Sequence, residues 1–469
     1  MSVKQAYTAH TRFLRDSERV AFDKAHRSTI AFNMKRYDEA VVNGKAQFLN
    51  LETARKRAAL RKYYVLENLE DHLKAFEHQF TSRGGRVIWA QDAEEARTAI
   101  LQILEKHYIK FAVKSKSMIT EEIGLTEYLE KNGVECLETD LGEYIVQISD
   151  DRPYHIVTPA MHLSARDVAG IFHKKFGLSE EASPEEITDF VRTTLRERFA
   201  EAKAGITGAN FLISGAGAVA LTENEGNGLM SVSSPKIHIV VAGIEKIAQG
   251  LEDLALFWPL LASHGTGQMI SAYNSLIFGP RKAGESDGPE HMYVVLLDNG
   301  RSRLLGATPQ RRSLACIRCG ACLNACPVYR NIGGHAYGSV YSGPIGAVIT
   351  PHMTGKIKEY KHLSFASSLC GKCTEVCPVG IDLHHQLLYN RALSQRMKLS
   401  SRLERFSIKA YKRIMTSRKW LDMPSPKLKN IIISLFLRKS WGNRRVLPKA
   451  VRSFRDSYEE HNPNQRKGE

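Results

Sequence analysis

The sequence predicts an α/β domain on a parallel sheet, joined to a smaller domain organised around cysteines. Two observations carry this. From Arg86 to Leu137 short apolar runs alternate with helical periodicity across tight connections, the pattern of parallel strands covered on both faces by helices. Seven of the eight cysteines then fall in two blocks, Cys316-Ile-Arg-Cys319-Gly-Ala-Cys322-Leu-Asn-Ala-Cys326-Pro327 and Cys370-Gly-Lys-Cys373-Thr-Glu-Val-Cys377-Pro378, which superimpose at a constant offset of 51 residues. A chain of 469 residues has room for two or three such domains.

In chain order, residues 1 to about 80 are polar, poor in glycine and rich in Lys, Arg, Glu, Ala and Leu, and read as helices such as Leu51 to Phe80. The texture changes at Arg83-Gly84-Gly85, and Arg86 to Ala90 is the first strand. Asp92 caps a helix in which Ala93, Ala96, Ile100, Ile103 and Leu104 keep helical spacing, with Glu95 placed for a variant of the capping box. Ile109 to Val113 is the next strand, Glu121 to Lys131 the next helix, and Val134 to Leu137 the strand after it, whose Cys136 reads as a free buried thiol. Further strands are expected at Tyr154 to Val157, Ala209 to Ile213, Val219 to Thr222, Ile237 to Val241 and Met292 to Leu297. The expected divisions are a helical region at 1–80, the α/β domain at 81–300, the cysteine domain at 301–390 and a basic helical region at 391–469.

Open parallel sheets bind ligands beyond the carboxyl ends of their strands. Lys114-Ser115-Lys116-Ser117 is therefore a candidate for holding a carboxylate or phosphate; the competing reading is a helix cap facing solvent. Gly215-Ala-Gly217 reads as a hairpin turn or a ligand-facing loop, running into the polar stretch Thr222 to Gly228. It lacks the third glycine of a dinucleotide fingerprint, and no P-loop is present. His264-Gly265-Thr266-Gly267-Gln268 and Gly279-Pro280-Arg281-Lys282 are further candidates to line the same crevice. No histidine stands beside a nucleophile or carboxylate in a spacing that specifies acid–base catalysis, so no catalytic residue is assigned.

The first cysteine block is the C-x2-C-x2-C-x3-C-P run of two-cluster ferredoxins, in which the last cysteine ligates the other run's cluster. Two-residue loops let three thiolates converge on one cubane, and the longer step with its proline carries the fourth sulfur to the neighbour. Crossing assigns Cys316, Cys319, Cys322 and Cys377 to cluster one, and Cys326, Cys370 and Cys373 to cluster two. Zinc sites take four ligands as cysteine pairs or with histidine, and seven cysteines do not divide so. Disulfide frameworks belong to small secreted chains. The offset puts Ser367 where the counterpart of Cys316 should stand. Cluster two is then a [3Fe–4S] centre, or a [4Fe–4S] centre whose fourth iron takes Ser367, water, a small ligand or another side chain. The expected chemistry is electron transfer.

Nearly all of the net charge of +16 sits in residues 391–469, which hold 21 Lys/Arg against 6 Asp/Glu. Arg402, Arg405, Lys409, Lys412, Arg413, Arg418 and Lys419 interleave with Phe406, Ile408, Tyr411, Ile414 and Met415, followed by Leu435, Phe436, Leu437 and Trp441. This pattern predicts an amphipathic packed arm for a partner subunit or an anionic membrane surface, ahead of a solvated face or a nucleic-acid contact. The longest apolar stretches, such as Ile431 to Leu437, fall far short of the ~20 residues of a membrane span. The first residues lack the apolar core of a signal peptide. The expected compartment is the reducing cytoplasm, with peripheral contact at the inner face of the membrane.

Five segments, Lys114-Ser-Lys-Ser-Met-Ile-Thr-Glu-Glu-Ile-Gly124, Gly217-Ala-Val-Ala-Leu-Thr-Glu-Asn-Glu-Gly-Asn-Gly228, Gly279-Pro-Arg-Lys282, Cys316 to Arg330 and Tyr341-Ser-Gly-Pro-Ile-Gly-Ala-Val348, resemble the lactate utilisation protein B family. Its members are iron–sulfur subunits of a three-protein system that oxidises L-lactate in bacteria, and the match covers nearly the whole chain. The resemblance implies a lactate-utilisation domain similar in fold to ribose-5-phosphate isomerase and glucosamine-6-phosphate deaminase. It implies a helical ferredoxin module like that of succinate dehydrogenase and fumarate reductase, which suits the 43 residues between Cys326 and Cys370. It further implies two [4Fe–4S] clusters on the seven cysteines, the A and C proteins of the system as partners, and an electron acceptor of unknown identity. On this reading a partner oxidises lactate to pyruvate and this chain relays the electrons singly. Two rivals are an α/β domain that itself acts on a hydroxy acid beside the open iron of cluster two, and an iron–sulfur protein that binds nucleic acid with steep salt dependence.

Overall fold

The computed structural model describes residues 3–441 and 449–461. The chain divides into two compact units, at Ser394/Gln395. The first opens with helices α1 (Val3–Phe22), α2 (Lys24–Lys45), α3 (Leu51–Glu67) and α4 (Leu69–Thr81). The single helix expected from Leu51 to Phe80 is broken at Asn68, where φ is −118° and ψ is 34°. The Asn68 amide side chain donates to the Tyr64 carbonyl, the local bonding by which asparagine competes with a helix.

There follow β1 (Arg86–Ala90), α5 (Ala93–Lys106), β2 (Phe111–Lys114), α6 (Met118–Glu122), α7 (Leu125–Lys131) and β3 (Glu135–Glu138). Asp92 caps α5 through the amides of Glu94 and Glu95, and the Glu95 carboxylate accepts from the amide of Gln91 rather than of Asp92, hence a variant box. The helix expected over Glu121 to Lys131 is split at Gly124, which is left-handed at φ 59°. Next come α8 (Leu141–Ile148), α9 (Ala165–Phe176), α10 (Pro184–Glu201), β4 (Ala204–Thr207), β5 (Phe211–Ile213), β6 (Ala218–Glu223), α11 (Asn227–Ser233) and β7 (Ile237–Gly243). After these are β8 (Ile247–Ala248), α12 (Leu254–Gly265), β9 (Tyr273–Ile277) and β10 (His291–Leu297).

Tyr154 to Val157 is not a strand. The Tyr154 amide donates to the Pro159 carbonyl, and His155 Nδ1 accepts from the amides of Val157 and Thr158, so a turn takes the groups a ladder would use. Three strands have no counterpart in the sequence reading: β4 begins Ala204-Gly205, without the branched residues that mark strands, β8 has two residues, and β9 is half-exposed.

Six strands form one all-parallel sheet in the order β1-β10-β7-β4-β2-β3. A second sheet, β8-β5-β6-β9, contains the β5–β6 hairpin. Alternation along β10 shows why the middle of the large sheet is apolar on both faces. Tyr293, Val295 and Leu297 pack with Ile100 and Leu104 of α5 and Leu129 of α7, while Met292, Val294 and Leu296 pack with Leu73, Phe76 and Phe80 of α4.

The cysteine segment is helical, with α13 (Arg301–Gly306), α14 (Ala321–Ala325), α15 (Pro327–Ile332), α16 (Gly343–Met353), α17 (Ile357–Tyr360), α18 (Lys372–Glu375) and α19 (Leu383–Arg396). It shares one apolar core with Ile30 and Met34 of α2 and with Ala58 and Leu66 of α3.

The second unit holds α20 (Arg402–Met415), α21 (Arg418–Asp422), α22 (Pro426–Trp441) and α23 (Phe454–His461). The helices expected of the basic tail form, and their apolar side chains are open to solvent in the chain alone. No residue of α20 is buried, and Leu403, Phe406 and Tyr411 stand exposed. Leu435 is exposed as well; the side chains of Phe436, Leu437 and Trp441 lie outside the described residues. Among the described residues, no helix is long and apolar enough to cross a membrane.

Candidate functional site

Each cysteine block folds as a tight left-handed turn feeding a short helix. In the first, Arg318 is left-handed (φ 62°) and its amide donates to Cys316 Sγ over 3.4 Å. Gly320 (φ 80°) then opens α14, which carries Cys322, and Cys326 precedes the helix-starting Pro327. In the second, Gly371 (φ 82°) opens α18 with Cys373, and the amide of Ile381 donates to Cys377 Sγ over 3.3 Å. Cys319, Cys322, Cys326, Cys373 and Cys377 are buried, Cys316 is half-buried and Cys370 is exposed; none is in a disulfide. Cys136 is buried in β3, away from both blocks, with burial pushing its thiol up to about 12.

The sulfurs fall into two electrostatic groups. Cys322 feels Cys316, Cys319 and Cys377; Cys319 feels Cys316 and Cys377. Cys326 feels Cys370, and Cys373 feels both Cys326 and Cys370. Cys322 also feels the charge of Cys373, so the two groups are neighbours. Burial pushes Cys373 up to about 12 and Cys377 up to about 11, which favours their neutral thiols where no cation stands beside them.

The surroundings of Cys316 fit an iron–sulfur group. Lys62, Lys246 and Arg318 all feel its charge. Lys62 donates to the carbonyls of Glu245 and Ile247, and Arg318 reaches Glu245 at 3.4 Å while lying 4.4 Å over the Tyr341 ring. Arg301 bonds Glu245 at 2.6 Å and Glu122 at 2.8 Å. Four basic side chains thus meet the carboxylates of Glu245, Glu122 and, at Lys62, Asp253; burial pulls Lys62 and Lys246 down to about 8, and Arg318 Nη1 is buried without a hydrogen-bond partner. An interior excess of cation is costly unless an anion offsets it, and a cubane with four thiolates, of net charge roughly −2, is such an anion.

Beside this group, beyond the carboxyl ends of β2, β4 and β7, lies a cavity of about 420 Å³. Its wall includes Ser115, Lys116, Asn210, Lys246, Arg318 and Cys319, so it abuts the first cysteine block. Of the sequence candidates, Lys114 does not face it: its ammonium is buried and paired with Glu138 and Glu121. Ser115, Lys116 and Ser117 do line it, and Ser117, at the start of α6, makes no side-chain cap bond. The polar loop Thr222 to Gly228 contributes to the wall, but the Gly215-Ala-Gly217 turn packs on α4, where a Cβ on Gly217 would meet Gln79 at 2.6 Å. Gly265 and Thr266 reach the cavity; His264 is buried behind it, and Gly279 to Lys282 lie elsewhere. Sequence reasoning passed over Lys246 and Arg318. The signals were present: Lys246 follows the parallel strand β7, and Arg318 fills a spacer of the cysteine run.

Residues 73–297 match the LUD domain family and residues 312–381 the 4Fe-4S dicluster domain family. Lactate utilization protein B of Bacillus velezensis is 46% identical over 343 residues, 73% of this chain and 72% of that protein. The uncharacterized electron transport protein YkgF of Escherichia coli K12 is 43% identical over 360 residues, 77% of this chain and 75% of that one. Lactate utilization protein B of Bacillus cereus is 41% identical over 425 residues, 88% and 89% of the two chains. A solved DUF162 family protein from Deinococcus radiodurans aligns at 17% identity with a TM-score of 0.28, covering 49% of this chain and 98% of that chain, too weak a likeness to bear on the fold. An α/β domain followed by a dicluster domain, with relatives above 40% identity across most of its length, places the chain in the lactate utilization protein B family.

Proposed function

We propose that this chain is the iron–sulfur electron-transfer subunit of a system that oxidises L-lactate to pyruvate and permits growth on lactate. The observation that carries the reading is the gathering of seven cysteines into two neighbouring groups inside a dicluster domain. Relatives named for lactate utilization and for electron transport supply the setting. Cys316, Cys319, Cys322 and Cys377 hold one [4Fe–4S] cluster, and Cys326, Cys370 and Cys373 hold the other. When bound, the clusters supply one-electron steps between a two-electron donor and an acceptor. The amides of Arg318 and Ile381 donate to ligand sulfurs, and Lys62, Lys246 and Arg318 offset negative charge, all of which favours the reduced state.

The A and C proteins of the same system are the partners, and the chemistry on lactate belongs to one of them, since this sequence carries no flavin or nicotinamide fingerprint. The basic unit beyond Ser394 docks on an acidic partner surface or the anionic inner leaflet. Deleting the gene should abolish or strongly slow growth on L-lactate while sparing growth on glucose, and a Cys319→Ala copy should fail to restore it. Normal lactate growth in the deletion strain, with no second copy of the gene, overturns the reading.

One observation favours a second reading, in which the α/β domain itself binds a hydroxy acid. The cavity contains Cys319 of the first cysteine group, so such a ligand would sit beside the first cluster and not beside the open iron of the second. Saturable L-lactate binding by the chain without its partners, lost in Lys246→Met, would favour this reading; no binding returns the chemistry to a partner.

A further inference from the structure

We propose that Ser367 is the fourth ligand of the second cluster, its Oγ binding iron as an alkoxide where the first block uses the thiolate of Cys316. The inference rests on the iron–sulfur reading above. The second block copies the first closely in backbone as well as in sequence. Arg318, two residues after Cys316, is left-handed at φ 62°, and its amide donates to Cys316 Sγ. Leu369, two residues after Ser367, is left-handed at φ 56°, and its amide donates to Ser367 Oγ over 3.1 Å. In both blocks a cysteine comes next, then a left-handed glycine, Gly320 or Gly371, then a short helix with the third ligand.

A branched side chain such as Leu369 rarely occupies the left-handed region, and such strain persists only where the surroundings over-determine it. The surroundings do so here. Arg391 clamps the loop from behind, donating from Nε to the Ser364 carbonyl at 2.8 Å and from Nη2 to the Ser367 carbonyl at 2.9 Å, with its guanidinium 5.1 Å over the Phe365 ring. The Oγ is therefore held where the first block holds a ligand sulfur. The neighbouring ligands are in place as well: Cys370 follows three residues on, and Cys326 and Cys373 feel its charge. Ligation forms one Fe–O bond, displaces a solvent ligand from the fourth iron and releases the hydroxyl proton to solvent, with no change in electron count. The competing oxygen is that of Tyr337, a buried side chain that feels Cys326 and Cys373.

The test is made on the full chain reconstituted anaerobically, reading iron, sulfide, Mössbauer and EPR spectra and the two cluster potentials. The parent should hold about eight irons, and Ser367→Ala about seven, with one cluster converted to a [3Fe–4S] centre. Ser367→Cys keeps the question open to refutation even if the alanine variant fails to fold, because the sign of its effect differs between the alternatives. Exchanging a hard alkoxide for a softer thiolate raises the potential of the second cluster. Adding a thiolate where neutral water had been lowers it. A lowered potential in Ser367→Cys, or about eight irons with an unchanged spectrum in Ser367→Ala, overturns the assignment, as does selective loss of the fourth iron in Tyr337→Phe. Absence of iron and sulfide from the parent would instead strike down the iron–sulfur reading itself.

Discussion

The two cysteine blocks share one backbone and live in different places. Both have the left-handed residue, the left-handed glycine and the short helix. The first lies deep, with Cys319 and Cys322 buried and a cationic group around Cys316; the second reaches the surface at Cys370. One aligned position summarises the contrast: Arg318, half-buried and charged, against Leu369, half-buried and uncharged. Ligand geometry is a local property that a short motif can copy. Potential is a long-range property, and on the proposed ligation Lys62 from α3, Lys246 after β7 and Arg318 in the turn would set it. The difference predicts that the first cluster has the higher potential and is the resting place of the electron, while Cys370 faces the exchange partner.

The largest effect expected tests whether the blocks share ligands at all. Cys377→Ser should damage the cluster held by Cys316, Cys319 and Cys322, removing about four of about eight irons, although it sits 51 residues after Cys326. Iron analysis with EPR of the surviving cluster decides; loss of the other cluster alone breaks the crossed assignment. Next in size is the electrostatic contrast. Arg318→Leu makes the first block resemble the second and should lower the first cluster's potential by on the order of 100 mV, as one charge at about 6 Å does in a medium of effective dielectric about 20. The second potential should move much less. Equal shifts in a potentiometric titration would mean that Arg318 does not distinguish the clusters.

The motif that made the blocks recognisable in the sequence is the part of the molecule governed by local geometry, so Cys316 to Pro327 and Cys370 to Pro378 were legible from spacing alone. The parallel sheet was legible because β10 from Met292 to Leu297 is a continuous apolar run and β7 is one interrupted only by His238. The split at Asn68 was not, since the helical period continues across it and only a side-chain bond to Tyr64 interrupts it. Nor was the fate of Tyr154 to Val157, whose apolar character is satisfied by burial against the cysteine segment, where the Tyr329 hydroxyl donates to the Tyr154 carbonyl. The cation group was hidden for a different reason. Lys62, Lys246, Arg301 and Arg318 are spread over 257 residues, and no window of sequence contains them together.

A smaller effect sharpens the comparison at the paired glycines. Both are left-handed, so alanine at either costs about 1 kcal/mol in backbone strain. At Gly371 a Cβ meets nothing within 4 Å, whereas at Gly320 it comes within 3.1 Å of His155 and 3.2 Å of Val157. Gly320→Ala should therefore be the more destabilising by roughly a further 1 kcal/mol, read as thermal midpoints of the reconstituted proteins. Equal losses would show that the loop around His155 yields to the added methyl.

Acid damage to the sheet that supports the blocks can be told apart from acid damage to the blocks themselves. His238 is buried in β7, bonded through Nε2 to the Thr207 hydroxyl at 2.8 Å, with Nδ1 unpartnered. Burial pushes its pKa from 6.5 down to about 3. Between those values the unfolded chain binds a proton that the folded chain refuses, so stability falls as pH drops below about 6.5 and rises again toward neutrality. The slope reaches at most about 1.4 kcal/mol per pH unit. His238→Gln keeps a polar side chain against Thr207 and lacks the titration, so its stability should fall less steeply with acid than the parent's. The gap between the two in urea unfolding should shrink steadily from pH 6.5 to 5.0. Contributions from the cysteine blocks are common to both proteins and cancel in the difference, so a gap that stays constant would show that His238 takes up its proton inside the fold.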